Sequence, residues 1–279
     1  MKSWQWRLAH RRSLDLGPTS LIMGILNVTP DSFADGGQHA RTEVAIDHAR
    51  RMMAEGAAII DIGGESTRPG GAAVSAAEEQ ARILPVIDAL AKDDVILSVD
   101  TYRAETAKLA VEHGVHVIND VWGAQRDPEI AAVAAETMAG LILMHTGRER
   151  QKDPDVIADQ FSFLRRSLEI ARRAGVADDA IVLDPGFGFA KETPEANLKL
   201  MARFEELHAL GYPLAVGASR KRFVGHVTGR ELHAERAIGT AATSVILRLK
   251  GAAIFRVHDV AANRDALKMA DAVMASGER

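Results

Sequence analysis

Short apolar runs recur along the chain, and each is followed by a polar or glycine-rich stretch and then by an amphipathic segment. The runs are rich in Val, Ile and Leu and mostly lack apolar–polar alternation, which is typical of strands buried on both faces of a parallel sheet. The eight predicted strands are Leu21–Val28, Ala58–Ile62, Val95–Val99, Val115–Ile118, Gly140–Met144, Ile181–Leu183, Pro213–Val216 and Ala252–Val257.

The segments between these runs have the periodicity and the end signals of helices. Asp127 and Thr193 each precede a proline, and this pair predicts an N-cap followed by proline in the first turn. Gly175 and similar glycines follow the last periodic residues and predict helix ends. The predicted helices are approximately Glu43–Glu55, Ala76–Ala91, Arg103–His113, Pro128–Glu136, Val156–Ala174, Pro194–Leu210, Ala234–Leu249 and Ala261–Met274.

A strand followed by a helix, repeated eight times in 279 residues, is typical of a (β/α)₈ TIM barrel in the α/β class. The alternative is an open, doubly wound sheet, but the turn at Gly24–Val28 lacks the glycine fingerprint of that fold. Residues 1–20, with Trp4 and Trp6, are predicted to form an N-terminal hairpin or strand that closes the bottom of the barrel. Residues 21–279 then form the barrel itself, so we predict a single domain.

Composition narrows the class of protein. The chain is 47% hydrophobic and 26% charged with a formal net charge of −4, which argues against non-specific nucleic-acid binding. The absence of cysteine excludes disulfides, thiolate metal sites and cysteine nucleophiles. No run approaches the ~18 apolar residues that span a bilayer, and Arg11-Arg12 precedes no apolar signal region. We therefore expect a soluble, cytoplasmic protein that binds neither membranes nor nucleic acid.

Barrel enzymes carry their active sites at the carboxyl ends of the strands, and here every predicted strand ends in polar groups. Each group alone has a simpler structural interpretation. Asp, Asn and Ser cap helices, Asp184-Pro185-Gly186 can form a turn, a lone His258 can be structural, and Arg220-Lys221-Arg222 can be a solvated run. A common rim accounts for all of them together. The groups are Asn27, Glu65 to Arg68, Asp100, Asn119 with Asp120, His145, Asp184, Ser219 to Arg222, and Arg256 with His258.

Part of this rim has the chemistry of a site for a flat ring. Asp100, Asn119 and Asp184 suit a planar heterocycle with several N–H donors, because carboxylate and amide oxygens accept such bonds. Lys221 can donate to a ring carbonyl on the opposite edge. We therefore predict a heterocycle site inside the carboxyl end of the barrel.

Another part of the rim has the chemistry of a phosphate site. Arg256 and His258 alternate along one strand and therefore point to one side, where Asn27 can join them. Phosphate groups commonly bind near the last two strands of such barrels. The loops that follow the first two strands are rich in glycine, so we expect them to act as lids.

Several of these stretches resemble the dihydropteroate synthase family, in order and over almost the whole chain from about Leu21 to Ala272. The two longest motifs lie within the first 70 residues, which makes the resemblance specific. The matching stretches are Leu26-Asn27-Val28-Thr29-Pro30-Asp31-Ser32-Phe33, Asp61-Ile62-Gly63-Gly64-Glu65-Ser66-Thr67-Arg68-Pro69-Gly70, Ser98–Thr101, Ile118–Asp120, Leu183–Phe189, Gly217–Lys221 and Arg256–Val260.

The resemblance implies a pterin-binding (β/α)₈ barrel and a transferase of folate biosynthesis. Such an enzyme joins 6-hydroxymethyl-7,8-dihydropterin pyrophosphate to 4-aminobenzoate and releases pyrophosphate. The resemblance further implies a homodimer and Mg²⁺ as cofactor, bound near Asn27. The implied pterin contacts are Asp100, Asn119, Asp184, Phe189 and Lys221. The implied pyrophosphate contacts are Asn27, Thr67, Arg256 and His258. The implied aminobenzoate contacts are Thr67, Arg68, Ser219 and Lys221, and the implied catalytic residues are Asp100, Lys221, Arg256 and His258.

Two positions depart from the family pattern. After the fifth strand many members continue His-Met-Gln-Gly, whereas this chain has His145-Thr146-Gly147-Arg148, so this loop can differ in conformation. After Lys221 a serine is common, and here Arg222 offers a cation to the aminobenzoate carboxylate instead. Neither departure removes a residue that the resemblance assigns to the pterin or the pyrophosphate.

Two other functions are compatible with the same fold. A pterin-dependent methyltransferase would share Asp100, Asn119 and Asp184 but would have no use for a pyrophosphate site. A non-catalytic pterin-binding protein is expected to have lost some of the loop residues, and none of them is missing from this sequence.

Overall fold

Eight parallel strands form the centre of the molecule, with helices around them. The computed structural model describes residues 2–29, 38–65, 74–191 and 193–277, with no account of the side chains of residues 38–41. The strands are β1 (Trp4–Arg7), β2 (Ser13–Leu16), β3 (Leu21–Asn27), β4 (Ile59–Gly63), β5 (Ile96–Asp100), β6 (Val117–Asp120), β7 (Gly140–Met144), β8 (Ile181–Asp184), β9 (Ala215–Val216) and β10 (Ile254–Val257). The α-helices are α1 (Gln38–Glu55), α2 (Ala76–Leu90), α3 (Ala104–Glu112), α4 (Glu129–Thr137), α5 (Val156–Ala174), α6 (Pro194–Ala202), α7 (Arg222–Thr228), α8 (Ala237–Leu249) and α9 (Val260–Gly277).

The sheet closes on itself. Its order is β8-β7-β6-β5-β4-β3-β10-β9, so neighbours in the sheet are neighbours along the chain apart from the β3–β10 contact. Leu183 of β8 pairs in parallel with Leu214, directly before β9, and the Leu183 N–H donates to the Pro213 carbonyl at 3.0 Å. The predicted TIM barrel is therefore confirmed, and the open-sheet alternative is wrong.

The inward face of the barrel changes character along the strands. Alternate residues point inward, and near the amino ends they form one apolar cluster of Met23, Ile59, Ile96, Val117, Ile142, Val182, Ala215 and Ile254. Two residues further along, the inward position is polar in five strands, at Asp61, Ser98, Asn119, Asp184 and Arg256. An apolar plug thus fills one end of the barrel, and a polar floor lies above it.

The N-terminal residues form an antiparallel hairpin of β1 and β2, in which Trp6 lies opposite Leu14. Trp6 is only 1% exposed, and its indole Nε1 donates to the Ala180 carbonyl at 2.9 Å. Trp6, Leu8 and Leu16 belong to the same apolar cluster as the inward strand residues. The hairpin therefore covers the amino ends of the strands, at the end of the barrel opposite the polar rim.

Most helices lie where the sequence predicts them, and three details differ. Gly175 ends α5 with φ of 90°, and the Thr193 hydroxyl caps α6 by accepting from the Ala196 N–H at 3.2 Å. The prediction for Asp127 is wrong, because its carboxylate accepts from the Ala104 N–H at 2.8 Å and so caps α3 instead of α4. The predicted helix Pro194–Leu210 ends at Ala202 and continues as a 3₁₀ segment, and the short helix α7 was not predicted.

No helix in the described part of the chain is long and apolar enough to cross a membrane.

Candidate active site

Asp61 lies at the centre of the polar floor and is completely buried. Its Oδ1 accepts from Ser98 Oγ at 2.6 Å, and its Oδ2 accepts from Asn119 Nδ2 at 3.1 Å and Arg256 Nε at 2.6 Å. Asp61 was not among the predicted site residues, although it is the charged inward position of an otherwise apolar strand. One carboxylate therefore orients groups from three other strands.

Arg256 bridges two carboxylates, because its Nη2 also donates to Asp100 Oδ2 at 2.6 Å. These two acidic neighbours raise the pKa of Arg256 above its usual value despite burial. Burial raises the pKa of Asp100 to about 7, against the opposing effect of Arg256. The other oxygen, Asp100 Oδ1, is buried without a hydrogen-bond partner among the described residues. A buried acceptor of this kind is costly unless a ligand supplies a donor.

Asp184 and Lys221 face each other across the pocket from β8 and the segment after β9. Asp184 Oδ1 accepts from the Gly186 N–H at 2.6 Å, and burial raises the pKa of this carboxyl, opposed by Lys221 and Arg256. Lys221 Nζ donates to the Phe187 carbonyl and lies 4.2 Å from the centroid of the Phe189 ring. Burial lowers the pKa of Lys221 to about 7, opposed by Asp184. The two groups therefore offer an acceptor and a donor to one pocket.

An apolar wall completes the pocket. Val121, Trp122 and Met144 form a small buried cluster against which Tyr102 and Phe189 pack. Such a wall suits the face of a flat ring, because aromatic and sulfur-containing side chains contribute large, polarisable contact areas.

Two charged groups of the rim support this wall from outside. The guanidinium of Arg148 lies 4.8 Å from the Phe189 ring centroid and 5.7 Å from that of Trp122. Asp120 accepts from the N–H groups of Trp122 at 2.8 Å and Ala124 at 2.6 Å. Asp120 thus has a structural role, but it caps no helix: it fixes the turn that presents Trp122.

Ser219 and His258 meet at the rim although they come from different βα units. Ser219 Oγ accepts from the His258 N–H at 3.1 Å and lies 2.9 Å from His258 Nδ1, to which its hydroxyl can donate. A neutral imidazole in this arrangement carries its proton on Nε2. The adjacent cations separate: Arg220 pairs with Asp259, and Arg222 is exposed at the start of α7.

The remaining predicted residues lie at or beyond the first two loops. Asn27 is half-buried at the carboxyl end of β3, beside Gly63 of β4. Thr67 and Arg68 lie outside the described residues, as do most of the two glycine-rich loops that were predicted to be lids. Their contacts to pyrophosphate and aminobenzoate stay predictions.

The class of protein follows from this fold and its polar floor. Residues 23–258 match the family model described as pterin binding enzyme, and the chain belongs to this family. Its relatives carry a more particular name. The chain is 49% identical over 259 residues to dihydropteroate synthase of Bacillus subtilis, covering 92% of this chain and 90% of the relative.

Solved structures agree with this comparison. Dihydropteroate synthase from Clostridium difficile, determined in the presence of pteroic acid, has a TM-score of 0.90 at 44% identity, covering 93% of this chain and 98% of that one. The enzyme from Xanthomonas albilineans with 4-aminobenzoic acid has a TM-score of 0.91 at 42% identity, covering 97% of this chain and 99% of that one. The resemblance stated from the sequence is confirmed, and so is the predicted class of enzyme, a transferase. The comparisons favour the synthase over both alternative functions.

Proposed function

We propose that this protein condenses 6-hydroxymethyl-7,8-dihydropterin pyrophosphate with 4-aminobenzoate to give 7,8-dihydropteroate and pyrophosphate. The observation that carries the proposal is Asp100 Oδ1, a buried carboxylate oxygen that lacks a hydrogen-bond partner among the described residues. It lies on the polar floor of the barrel beside Arg256, where a ring N–H would satisfy it.

The pterin ring would bind among the inward polar groups. Asp184 and Asp100 would accept from ring N–H and amino groups, and Asn119, held by Asp61, offers an amide oxygen to the same ring. Lys221 would donate to the ring carbonyl, and Phe189, which already lies against that ammonium, would contact the ring face. Hydrogen bonds to charged groups contribute about 1.5–3 kcal/mol each, so these contacts favour a flat ring with donors on one edge.

The reaction needs positioning and electrostatic stabilisation more than a nucleophilic side chain. The arylamine nitrogen forms a bond to the exocyclic methylene carbon of the pterin, and the bond from that carbon to pyrophosphate oxygen breaks. The electron pair of the broken bond leaves with the pyrophosphate, and the amine proton passes to solvent. Ionised Asp100 would stabilise positive charge that develops on the ring. Such electrostatic stabilisation is strongest in a site from which water is excluded.

The pyrophosphate would bind on the β3–β10 side of the mouth. Two nitrogens of Arg256 donate to Asp61 and Asp100, and its third, Nη1, donates to no described residue and can face the anion. His258 Nε2 would donate as well, since Ser219 lies against Nδ1. Thr67 is assigned here on its sequence motif alone.

The side chains at this site could hold Mg²⁺ only as an ion that is shared with the substrate pyrophosphate. Among the described residues no group of three or more His, Asp, Glu or Cys side chains could hold a metal ion. The amide oxygen of Asn27 would be one ligand, with pyrophosphate oxygens and water as the others, which is a common arrangement for this ion. When bound, Mg²⁺ supplies positive charge that stabilises the leaving pyrophosphate.

The second substrate would bind nearer the rim. Ser219 and Lys221 would lie beside 4-aminobenzoate, and the exposed Arg222 at the start of α7 offers its carboxylate a cation. Thr67 and Arg68 are assigned to this subsite by their motif.

The cytoplasmic location of the protein stays a prediction.

We also propose that the protein is a homodimer through α8 and α9. Large apolar side chains lie exposed on both helices: Ile238 (85%), Ile246 (44%) and Leu249 (51%) on α8, and Met269 (67%) and Val273 (59%) on α9. At about 100° per residue each set lies on one side of its helix, and exposed apolar side chains grouped in this way favour an interaction surface. In light scattering, Ile238→Glu should give monomers, whereas Val44→Glu on α1 should not. A monomeric wild type would contradict the dimer.

A coupled assay for pyrophosphate release tests the reaction. We expect release only when dihydropterin pyrophosphate, 4-aminobenzoate and Mg²⁺ are all present, and each is omitted in turn. The organic product should be 7,8-dihydropteroate by mass spectrometry. Release without aminobenzoate would indicate hydrolysis, and binding of the pterin without any release would favour the non-catalytic alternative.

A further inference from the structure

Behind the pocket lies a buried cationic residue to which neither the resemblance nor the reaction gives a role. Lys191, in the segment between β8 and α6, is only 8% exposed. Its Nζ donates to the Gly186 carbonyl at 2.7 Å and lies 3.2 Å from His145 Nδ1. An ammonium group is costly to bury, so its position calls for an explanation.

One side of Lys191 is held by a rigid charge network. His145 Nε2 lies 2.9 Å from Asp159 Oδ2, and Arg150 donates to both oxygens of Asp159 at 2.7 Å. Where Nδ1 accepts from Lys191, the imidazole proton lies on Nε2, which faces Asp159 Oδ2 and also lies 2.9 Å from Arg150 Nη2. Burial lowers the pKa of His145 to about 4, in agreement with a neutral ring. The loop after β7 thus presents Lys191 with a fixed acceptor.

The other side of Lys191 is the turn that organises the pterin pocket. Gly186 has φ of 64°, and a Cβ there would lie 2.0 Å from the His145 carbonyl, so the turn is closely packed. The N–H of Gly186 donates to Asp184, and the next carbonyl, that of Phe187, accepts from Lys221. The carbonyl that Lys191 holds lies between these two contacts.

We propose that Lys191 is a positioning residue for pterin binding: it fixes the turn from Asp184 to Gly188 and adds a positive charge behind Asp184. This inference rests on the proposed function and deepens it. Lys191 itself touches no substrate. It acts through the orientation of Gly186 and Phe187, and through the ionisation of Asp184.

The electrostatic part has a definite sign. Burial raises the pKa of Asp184, and Lys221, Arg256 and Lys191 oppose that rise. The charges around Lys191 are Asp184, Asp159, Arg150 and Lys152, and burial lowers the pKa of this ammonium to about 7. Removing the Lys191 charge should therefore raise the pKa of Asp184, so pterin affinity should begin to fall at a higher pH on acidification.

The test compares three variants with the wild type by calorimetric titration with dihydropterin pyrophosphate between pH 5 and pH 8. Lys191→Met should weaken binding by about tenfold or more, the loss expected for a charged hydrogen bond. The acid limb, which is the pH range over which affinity falls on acidification, should also move to higher pH. Lys191→Gln keeps a donor for Gly186 without charge, so it should lose less affinity but show the same shift of the limb. Lys152→Met is the control, because Lys152 also donates to a carbonyl of this segment, that of Ala190 at 2.8 Å, away from Asp184.

The outcomes separate the two proposals. If the wild type does not bind the pterin, the proposed function fails. If it binds and Lys191→Gln keeps both the affinity and the acid limb of the wild type, the role of Lys191 is overturned, even if Lys191→Met does not fold. Equal losses in Lys191→Met and Lys152→Met would show only a general effect on the segment and would also overturn it.

Discussion

Replacing Asp61 by Asn tests whether one buried carboxylate holds the pterin-binding residues in place. Asp61 accepts from Ser98, Asn119 and Arg256 at 2.6–3.1 Å and is completely buried. An amide keeps one acceptor for Ser98 but turns an N–H₂ group toward donors. Removing one partner of a buried ion pair costs about 3–5 kcal/mol, so the free energy of unfolding should fall by that amount. For a chain of this size the melting temperature should then fall by roughly 6–20 °C.

Thermal unfolding followed by circular dichroism measures this effect, with Asp259→Asn as the matched control. Asp259 also accepts from an arginine, Arg220, but it is 22% exposed whereas Asp61 is completely buried, so its replacement should cost less stability. Titration with dihydropterin pyrophosphate should show weaker binding for Asp61→Asn alone, because Asn119 and Arg256 lose their orientation. If both variants have the same melting temperature and bind the pterin like the wild type, Asp61 does not organise the polar floor.

Three further perturbations address single groups of the pocket. Asp184→Asn should weaken pterin binding by about 10- to 150-fold, since an ionised acceptor is lost, and unchanged calorimetric affinity would remove Asp184 from the site. Lys221→Met should lose pterin affinity and turnover while the protein stays folded, and normal kinetics beside normal thermal unfolding would instead favour a surface role. The folded-state pKa of Asp100 is raised to about 7 from 3.8, so its contribution to stability is present below about pH 4 and is lost as pH rises to about 7. The free energy of unfolding, measured with denaturant from pH 4 to 8, should therefore fall less steeply with pH in Asp100→Asn than in the wild type. Parallel curves for the two proteins would contradict the raised pKa.

The sequence determined the elements whose signals are local. Strand β7 was predicted with its observed bounds, Gly140–Met144, because a strand covered on both faces needs an unbroken apolar run. Helix α5 was predicted at Val156–Ala174, since its periodicity and its end at Gly175 lie within the segment itself. Eight such units in one chain left few closed arrangements, so the barrel followed as well, and with it the position of the polar groups at the carboxyl ends of the strands.

Local signals were weaker where a short helix or a capping residue was concerned. Helix α7 has only seven residues, too few for a periodic pattern to stand out. Asp127 has the sequence of an N-cap for the next helix, α4, yet it caps the neighbouring helix α3. A side chain can satisfy any N–H group within reach, and which one lies within reach depends on how neighbouring helices pack.

Only the tertiary structure decided which polar residues of the rim act together. Three consecutive cations separate, with Arg220 paired to Asp259, Lys221 turned into the pocket and Arg222 exposed. Asp61 gained its central place because sheet closure brings β4, β5, β6 and β10 around one point, although Asp61 and Arg256 are far apart along the chain. Local sequence specifies backbone and burial, whereas hydrogen-bond partners over such separations are fixed by the register and closure of the barrel.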